Sequence, residues 1–158
     1  PHLEEVFGRA SGRVIVTSFA SNIHRVQQVI DAAAALGRKV ALVGRSMRKN
    51  VAIGSQLGHI DVPEGLIVTP REIDDFPDHR MIIISTGSQG EPLSALALMA
   101  AGENKFLKLG EGDLVILSSH AIPGNEANVG KVIDGLYRLG ADVIHSGLAK
   151  VHVSGHAM

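Results

Sequence analysis

Cysteine and tryptophan are absent from this 158-residue chain, and tyrosine occurs once. Without cysteine the chain cannot form disulfides or thiolate zinc sites, and it has no cysteine nucleophile. With four phenylalanines and one tyrosine, it also offers few of the aromatic rings on which single-strand binders stack bases. Base stacking is therefore not expected to be its main mode of recognition.

Neither sign of charge dominates, and no apolar run is long. Fifteen Lys and Arg against sixteen Asp and Glu give a net charge of −1, so the chain lacks a broad basic field that would hold nucleic acid by counterion release alone. No run approaches the roughly 18 apolar residues of a membrane span, and no hydrophobic leader is apparent. Together with the lack of cysteine, this predicts a cytoplasmic protein without membrane contact, in which any phosphate binding is local.

Apolar residues, by contrast, make up 45% of the chain, which is enough to form the core of a single domain. Short β-branched runs alternate along the chain with amphipathic stretches. Strands are predicted at 13–19, 39–44, 81–86, 113–119 and 141–146. The alternation predicts an α/β fold, a Rossmann-like open and mainly parallel sheet with helices on both faces.

Four helices are predicted between these strands. The clearest has Ser21 or Asn22 as its N-cap and Gly37 just past its end. Its apolar stripe consists of Ile23, Val26, Val29, Ile30 and Ala33. A second helix is predicted to begin near Ser46, and a third directly after Glu91 with Pro92 in the first helical position.

The fourth helix is predicted before Gly140, where apolar residues again recur at helical spacing. These residues are Val129, Val132, Ile133 and Leu136. The segment 58–80 interrupts the alternation because it is rich in proline and acidic residues. We interpret it as a surface excursion within the domain.

Loops of mostly small and polar residues follow three of the strands, a fourth lies near the end of the chain, and all but the first of these loops contain glycine. Their sequences are TSFASN (17–22), STGSQGEP (85–92), SSHAIPGNE (118–126) and HVSGH (152–156). In a parallel sheet, ligands bind beyond the carboxyl ends of the strands. Glycine lets the backbone approach an anion, and Ser, Thr and His side chains add donors. Turn formation or helix capping would explain any one loop, but four at one edge favour a phosphate.

The chemistry of these loops has limits. None is a P-loop or a GxGxxG fingerprint, so no motif supports nucleotide binding. His152 and His156 are four residues apart, but in an extended segment this separates them by roughly 13 Å, too far to share a metal ion. GxSxG is absent, and Glu91 and Glu126 are predicted to be acids that favour helix N-termini. The residues alone predict a phosphate-contacting domain without a complete catalytic apparatus.

Taken in order, these segments resemble the β-CASP domain of bacterial ribonuclease J, in the metallo-β-lactamase superfamily of nucleases. The resemblance covers nearly the whole chain, and the ordered set is more specific than any one glycine loop. The matching segments are TSFASNIHRVQQVIDAA (17–33), GRSM (44–47), STGSQGEPLSAL (85–96), SSHAIPGNE (118–126) and HVSGHA (152–157). The resemblance implies that residues 1–158 are a β-CASP domain excised from a larger nuclease.

That family processes and degrades RNA, and its full-length enzymes are 5′-to-3′ exonucleases and endonucleases. The resemblance implies that this domain clamps RNA, including 5′-monophosphate ends, over two zinc ions held by the metallo-β-lactamase domain of the same protein. It also implies a parent that forms a homo-oligomer. The HxHxDH zinc motif is absent from the chain. We therefore expect no cofactor in this chain and no hydrolysis by the isolated domain.

Site residues follow from the loops and from the resemblance together. By resemblance, His156 of SGH matches the motif B histidine beside the metal site and is the expected catalytic residue. The segments 21–23 and 152–156 match RNA-contacting segments of the family. The full set of expected RNA- or phosphate-binding residues is Ser21, Asn22, Ile23, Ser85, Gly87, Ser88, Gln89, His120, His152, Val153, Ser154, Gly155 and His156.

Two other functions remain open at this point. One is a small-molecule phosphate or nucleotide-sugar binding domain on a Rossmann-like sheet, and the other is a purely structural or interaction module. RNA binding predicts that the loops at 17–22, 85–91 and 152–156 cluster on one edge of the sheet. Small-molecule binding predicts a closed pocket of ligand size.

Overall fold

The computed structural model describes residues 2–87, 89–91, 94–105, 107–118 and 122–145. Its strands are β1 (Val14–Thr17), β2 (Lys39–Val43), β3 (Ile67–Val68), β4 (Met81–Ser85), β5 (Leu114–Leu117) and β6 (Asp142–His145). Its α-helices are α1 (His2–Arg9), α2 (Ile23–Ala35), α3 (Arg45–Gln56), α4 (Ala95–Ala100) and α5 (Glu126–Arg138). Two short 3₁₀ helices span Pro70–Asp75 and Asp78–Arg80. None of the helices in these ranges is long and apolar enough to cross a membrane.

The six strands form one sheet in the order β3-β2-β4-β1-β5-β6, and each of the strand pairs is parallel. The chain leaves β1 in one direction, toward β2, and later leaves β4 in the other direction, across β1 to β5. Open α/β sheets bind ligands where neighbouring strands lead away in opposite directions. The predicted Rossmann-like parallel sheet is confirmed, and β1 and β4 lie at its switch point.

Helices cover both faces of the sheet, as predicted. Side chains alternate along β1, so that Val14 and Val16 join one core cluster and Ile15 joins the other. The front face packs against α1, α2 and α3, and the back face against α4 and α5. The central strands are buried on both sides, which explains why they read as continuous apolar runs.

The five predicted strands are present, together with helices at all four predicted places, but two details of the helices were wrong. Ile23 does not belong to the buried stripe of α2, because it lies at the first helical position, beyond the core, and is 37% exposed. The third helix begins at Ala95, not directly after Glu91. Ser94 is its N-cap, since its hydroxyl accepts from the Ala97 amide at 3.2 Å. The Ser94 amide closes a turn on the Glu91 carbonyl.

Segment 58–80 is more than the surface excursion that we predicted. It contains β3, a two-residue edge strand that pairs with β2 through Ile67 and Val68. It also buries Ile73 on the back face of the sheet. Two residues are too short a run to stand out by periodicity, so this strand could not be predicted from the pattern of residues. Helix α1 was likewise not predicted, although Leu3 and Phe7 are spaced for one face and pack on the front of the sheet.

Two buried arginines fix the amino edge of the sheet, opposite the strand ends that carry the loops. Arg13 donates from Nε and Nη2 to the Asp113 carboxylate, at 3.3 and 3.2 Å, and so joins the starts of β1 and β5. Arg38 donates to backbone carbonyl oxygens only, including those of Phe7 at 2.9 Å and Ala10 at 3.0 Å. These bonds hold the end of α1 against the sheet.

Candidate nucleic-acid interface

The carboxyl ends of the strands lie in one row, which we call the carboxyl edge. Thr17, the last residue of β1, is in register with Ser85 of β4 on one side and with Leu117 of β5 on the other. Ladder bonds continue past the strand ends, from the Ser18 amide to Ser85 and from the Ser118 amide to Thr17. The loops at 17–22, 85–91 and 118–126 therefore leave the same edge. The loop at 152–156 lies outside the described residues.

The loop after β1 turns its polar side chains in two directions. Thr17 and Ser18 are buried and bond to backbone carbonyls, whereas Ser21 and Asn22 are exposed at the start of α2. Asn22 is the N-cap of this helix, since its Oδ1 accepts from the Arg25 amide at 3.0 Å. Of the two predicted N-caps, Asn22 is therefore the one used. Together with Ile23, these residues present a hydroxyl, an amide and an apolar surface at the carboxyl edge.

The loop after β4 uses its glycines for packing. Gly87 has φ of +107°, and a Cβ on it would lie 2.6 Å from the Ser94 hydroxyl oxygen. Gly90 has φ of +75°, and a Cβ on it would lie 2.6 Å from the backbone carbon of Asn128 in α5. The sequence suggested that these glycines allow an anion to approach. In the structure they allow the loop to approach α4 and α5.

Two other residues of this loop, expected at phosphate contacts, are turned inward. Ser85 is fully buried, and its hydroxyl donates to the Thr86 carbonyl at 2.8 Å. Gln89 is 3% exposed, and its Oε1 accepts from the Ile122 amide at 2.6 Å and from Asn125 Nδ2 at 3.3 Å. Gln89 thus joins the loop after β4 to the loop after β5. Ser88 lies outside the described residues.

The loop after β5 is described at both ends. Ser118 has a buried hydroxyl oxygen that bonds to no residue in the described ranges. Glu126 starts α5, as predicted, and its carboxylate accepts from the Gly124 amide at 2.9 Å. The parallel prediction for Glu91 was wrong, because α4 begins four residues later. His120 falls outside the described part of the chain.

Exposed apolar side chains at the carboxyl edge were missed in the sequence. Phe19 and Ile122 are 38% and 50% exposed, in the loops after β1 and β5. The sequence did contain a signal for them. Each is a large apolar residue in an otherwise polar turn, where it is not part of an apolar run that would pack in the core. Such side chains add apolar contact area to an otherwise polar edge.

Metal-ligating side chains do not gather anywhere in the part of the chain that the structure covers. No group of three or more His, Cys, Asp or Glu within those ranges could hold an ion. His152, Val153, Ser154, Gly155 and His156 all lie outside them. What the described edge offers is the exposed Ser21 hydroxyl and the exposed Asn22 side-chain amide, both of which can donate to an anionic ligand.

A parallel six-stranded sheet with helices on both faces, and with polar loops gathered at its carboxyl edge, defines an α/β domain of the Rossmann-like class. Within that class, the family model for the β-CASP domain of ribonuclease J matches residues 11–136. The chain therefore belongs to the ribonuclease J β-CASP domain family.

Curated relatives support the same assignment along the chain. A ribonuclease J from Mycolicibacterium smegmatis is 50% identical over 157 residues, covering 99% of this chain and 28% of that protein. The ribonuclease J of Thermus thermophilus is 52% identical over 155 residues, covering 98% of this chain and 27% of that protein. That of Helicobacter pylori strain J99 is 44% identical over 157 residues, covering 99% and 23%. The chain thus spans roughly a quarter of the length of these relatives.

Proposed function

We propose that this chain is the RNA-binding domain of a ribonuclease J-type nuclease, and that it clamps RNA phosphates over a zinc site in another domain of the same protein. The observation that carries the proposal is the gathering of three polar loops at one edge, where Gln89 ties two of them together. Fixed loops hold a flexible strand at a lower entropic cost than mobile ones.

In this proposal the residues at the start of α2, from Ser21 to Ile23, provide the described RNA contacts. The Ser21 hydroxyl donates to a phosphate oxygen, the Asn22 amide donates to a neighbouring one, and Ile23 covers the sugar. Ser88, His120 and the segment 152–156 complete the binding surface. His156 acts at the scissile phosphate, either by donating to a phosphate oxygen or by assisting the leaving group.

Two zinc ions in a metallo-β-lactamase domain outside this chain would supply the hydroxide nucleophile. The part assigned to this chain is to bind and orient the RNA. For the whole protein we propose 5′-to-3′ exonuclease and endonuclease activity in cytoplasmic RNA processing, including that of rRNA, by a homo-oligomer that captures 5′-monophosphate ends. The proposal for the whole protein is supported by relatives named ribonuclease J that match nearly all of this chain.

Small-molecule binding gains less support from the structure. A groove of about 380 Å³ lies at the amino edge, between Arg9 in α1 and Asp142 in β6. Another, of about 320 Å³, lies on the back face, where Gly135 of α5 is next to Ala100 of α4. Neither groove lies between the loops that follow β1 and β5.

The test compares 5′-phosphorylated with 5′-hydroxyl RNA, using the full-length protein that contains this chain. Ser21→Ala should weaken RNA binding by about one hydrogen bond, roughly 0.5–3 kcal/mol depending on charge. Ser55→Ala is the matched control, because Ser55 is an exposed serine near the C-terminal end of α3, away from the carboxyl edge where that helix begins. Equal affinities for the two variants would contradict the proposed contact. A nucleotide sugar that binds more tightly than RNA would support the small-molecule alternative.

His156→Ala tests the catalytic assignment in the same protein. General acid–base assistance is worth roughly a hundredfold to ten-thousandfold in rate, so cleavage should fall by that factor. Zinc content and melting temperature should stay near those of the unmodified protein, because the zinc ligands are assigned to the other domain. Normal cleavage would reject the role, and so would a loss of cleavage that unfolding explains.

A further inference from the structure

Charge is unevenly distributed along this nearly neutral chain. Residues 14–60 contain six Lys or Arg and a single acid, Asp31. Residues 61–80 contain six Asp or Glu and two Arg. A net charge of −1 therefore conceals a basic segment, which runs from β1 to the end of α3, next to an acidic one.

Two of the six cations in the basic segment donate hydrogen bonds within the protein, which gives them a structural role. Arg38 bonds to buried carbonyls at the amino edge, and Lys39 Nζ donates to the Gly65 carbonyl at 2.7 Å. The other four have no ion pair and no side-chain hydrogen bond to any residue within the described ranges. They are Arg25, Arg45, Arg48 and Lys49, which we call the α2–α3 basic ridge.

Arg25 and Arg45 lie in the first turn of α2 and α3, where the positive end of the helix dipole disfavours a cation, and Arg48 and Lys49 lie in the next turn of α3. Neither helix has an acid in its first turn. Helices α1 and α5 follow the usual preference, with Glu4 and Glu5 in one and Glu126 in the other. Arg45 and Lys49 are also four residues apart, so their like charges repel each other along the helix. Arg25 and Arg45 are therefore at unfavourable positions in the helices that carry them, and neither helix has a first-turn acid to offset them.

The ridge adjoins the carboxyl edge. Helix α2 follows β1 and α3 follows β2, so both helices start where the strands end. Gly44, the N-cap of α3, lies against the loop after β4, since a Cβ on it would be 2.8 Å from Thr86 Oγ1. On α3, Arg45, Arg48 and Lys49 are exposed, while Met47 and Val51 on the opposite side are buried. The cations therefore lie near the starts of α2 and α3, the two helices that leave the carboxyl edge and pack on the front face.

We propose that the α2–α3 basic ridge is a further RNA-binding site, which holds the phosphodiester backbone of nucleotides beyond those held by the loops. Unpaired cations at positions that weaken their own helices are explained by a polyanion that neutralises them on binding. Contacts of this kind hold the strand without reading its sequence. This inference rests on the proposed RNA-binding function of the carboxyl edge.

The experiment measures RNA affinity against salt concentration for the full-length protein. The test variant is Arg45→Gln/Arg48→Gln/Lys49→Gln, and the probe is a long 5′-phosphorylated oligouridylate. Each phosphate contact to a single strand contributes about 0.7 to the slope of log K against log salt, so the slope should fall in magnitude by about 2. The control Arg71→Gln/Lys105→Gln/Lys131→Gln removes the same charge from exposed residues elsewhere and should leave the slope nearly unchanged.

A short oligouridylate that reaches only the loops should bind the test variant and the unmodified protein equally well. The melting temperature of the test variant should equal or exceed that of the unmodified protein, because the variant removes cations from the start of a helix. A smaller salt slope could then not be attributed to unfolding. If the test and control variants have the same slope, the proposed RNA binding by the ridge is wrong. The proposed RNA binding by the loops would still hold if Ser21→Ala weakens binding. A short RNA affected as strongly as the long one would also contradict RNA binding by the ridge. An unmodified protein that binds no RNA would refute the proposed function, and the ridge with it.

Discussion

At the scale of single residues, Gln89 shows how a buried side chain can position the loops of the carboxyl edge without being exposed to a ligand itself. Its buried oxygen is the acceptor for the Ile122 amide and for the Asn125 side chain, so it ties the later part of the loop after β5 to the loop after β4. The sequence pointed to Gln89 because it lies in a glycine-rich loop. No local pattern could show that its partners are more than thirty residues away.

Gln89→Leu should destabilise the protein by about 1–3 kcal/mol, because it leaves the Ile122 amide without its acceptor. Chemical denaturation measures this loss. Gln28→Leu is the matched control, since Gln28 is exposed on α2 and its replacement should change stability by less than about 0.5 kcal/mol. RNA affinity should fall for Gln89→Leu alone. Equal stability of the two variants would show that the bond to Ile122 is not important for the fold.

Arg38 is a buried cation without a carboxylate partner. Burial lowers the pKa of its guanidinium below the usual value, and four backbone carbonyls accept its hydrogen bonds. The acceptors include Phe7 and Ala10 at the end of α1, where the negative end of the helix dipole favours a cation. This arrangement explains how an arginine is tolerated at 6% exposure.

Arg38→Met should therefore lower stability by about 1–3 kcal/mol, since the carbonyls at the end of α1 lose their donor. Hydrogen exchange should show the largest increase in α1, which Arg38 joins to the sheet. Arg48→Met, an exposed arginine on α3, serves as the control and should leave α1 unchanged. Uniform exchange increases across the sheet and α1 would mean that Arg38 supports the whole fold and not this helix in particular.

At the scale of elements, the sequence predicts helices and strands that have a regular apolar pattern. It does not predict features that depend on contacts between residues far apart in the chain. Long periodic stretches such as α5 and buried runs such as β4 were correctly placed, because burial on one or both sides leaves a pattern in the residues. The start of α4 was misplaced because a turn closed by Ser94 precedes it. Gly90 lies in a loop that the sequence singled out, but its close approach to α5 is a tertiary contact that no local pattern shows.

Gly90→Ala tests that contact, with Gly124→Ala as a control. Both glycines have positive φ, which costs other residues roughly 1–2 kcal/mol. A Cβ at Gly124 would meet no atom within 4 Å, whereas one at Gly90 would meet the backbone of Asn128 and Val129. Gly90→Ala should therefore cost about a further 1–3 kcal/mol for overpacking. Equal losses in a denaturation experiment would mean that the loop after β4 can shift away from α5.

At the scale of the whole molecule, the position of the candidate site was more predictable than its side chains. Parallel strands bring their carboxyl ends together, so the sequence alone placed the loops at 17–22 and 85–91 on one edge. It could not show that Ser85 and Gln89 turn inward while Phe19 and Ile122 turn outward. Nor did the net charge reveal that residues 14–60 are rich in cations and residues 61–80 in acids. The carboxyl edge and the α2–α3 basic ridge each cover only a small part of the surface. The RNA affinity of the isolated domain depends on these few contacts.

The isolated 158-residue chain should bind RNA weakly, retain no stoichiometric zinc after dialysis and cleave no RNA. Its net charge of −1 gives little long-range attraction, and its few aromatic residues limit stacking, so a small number of phosphate contacts must provide most of the affinity. Most binding should therefore disappear as salt is raised. Titration of labelled RNA at several salt concentrations, with elemental analysis of the same sample, measures both properties. Nanomolar affinity at physiological salt, or cleavage abolished by a chelator, would show that this domain does far more alone than its charge and its described residues predict.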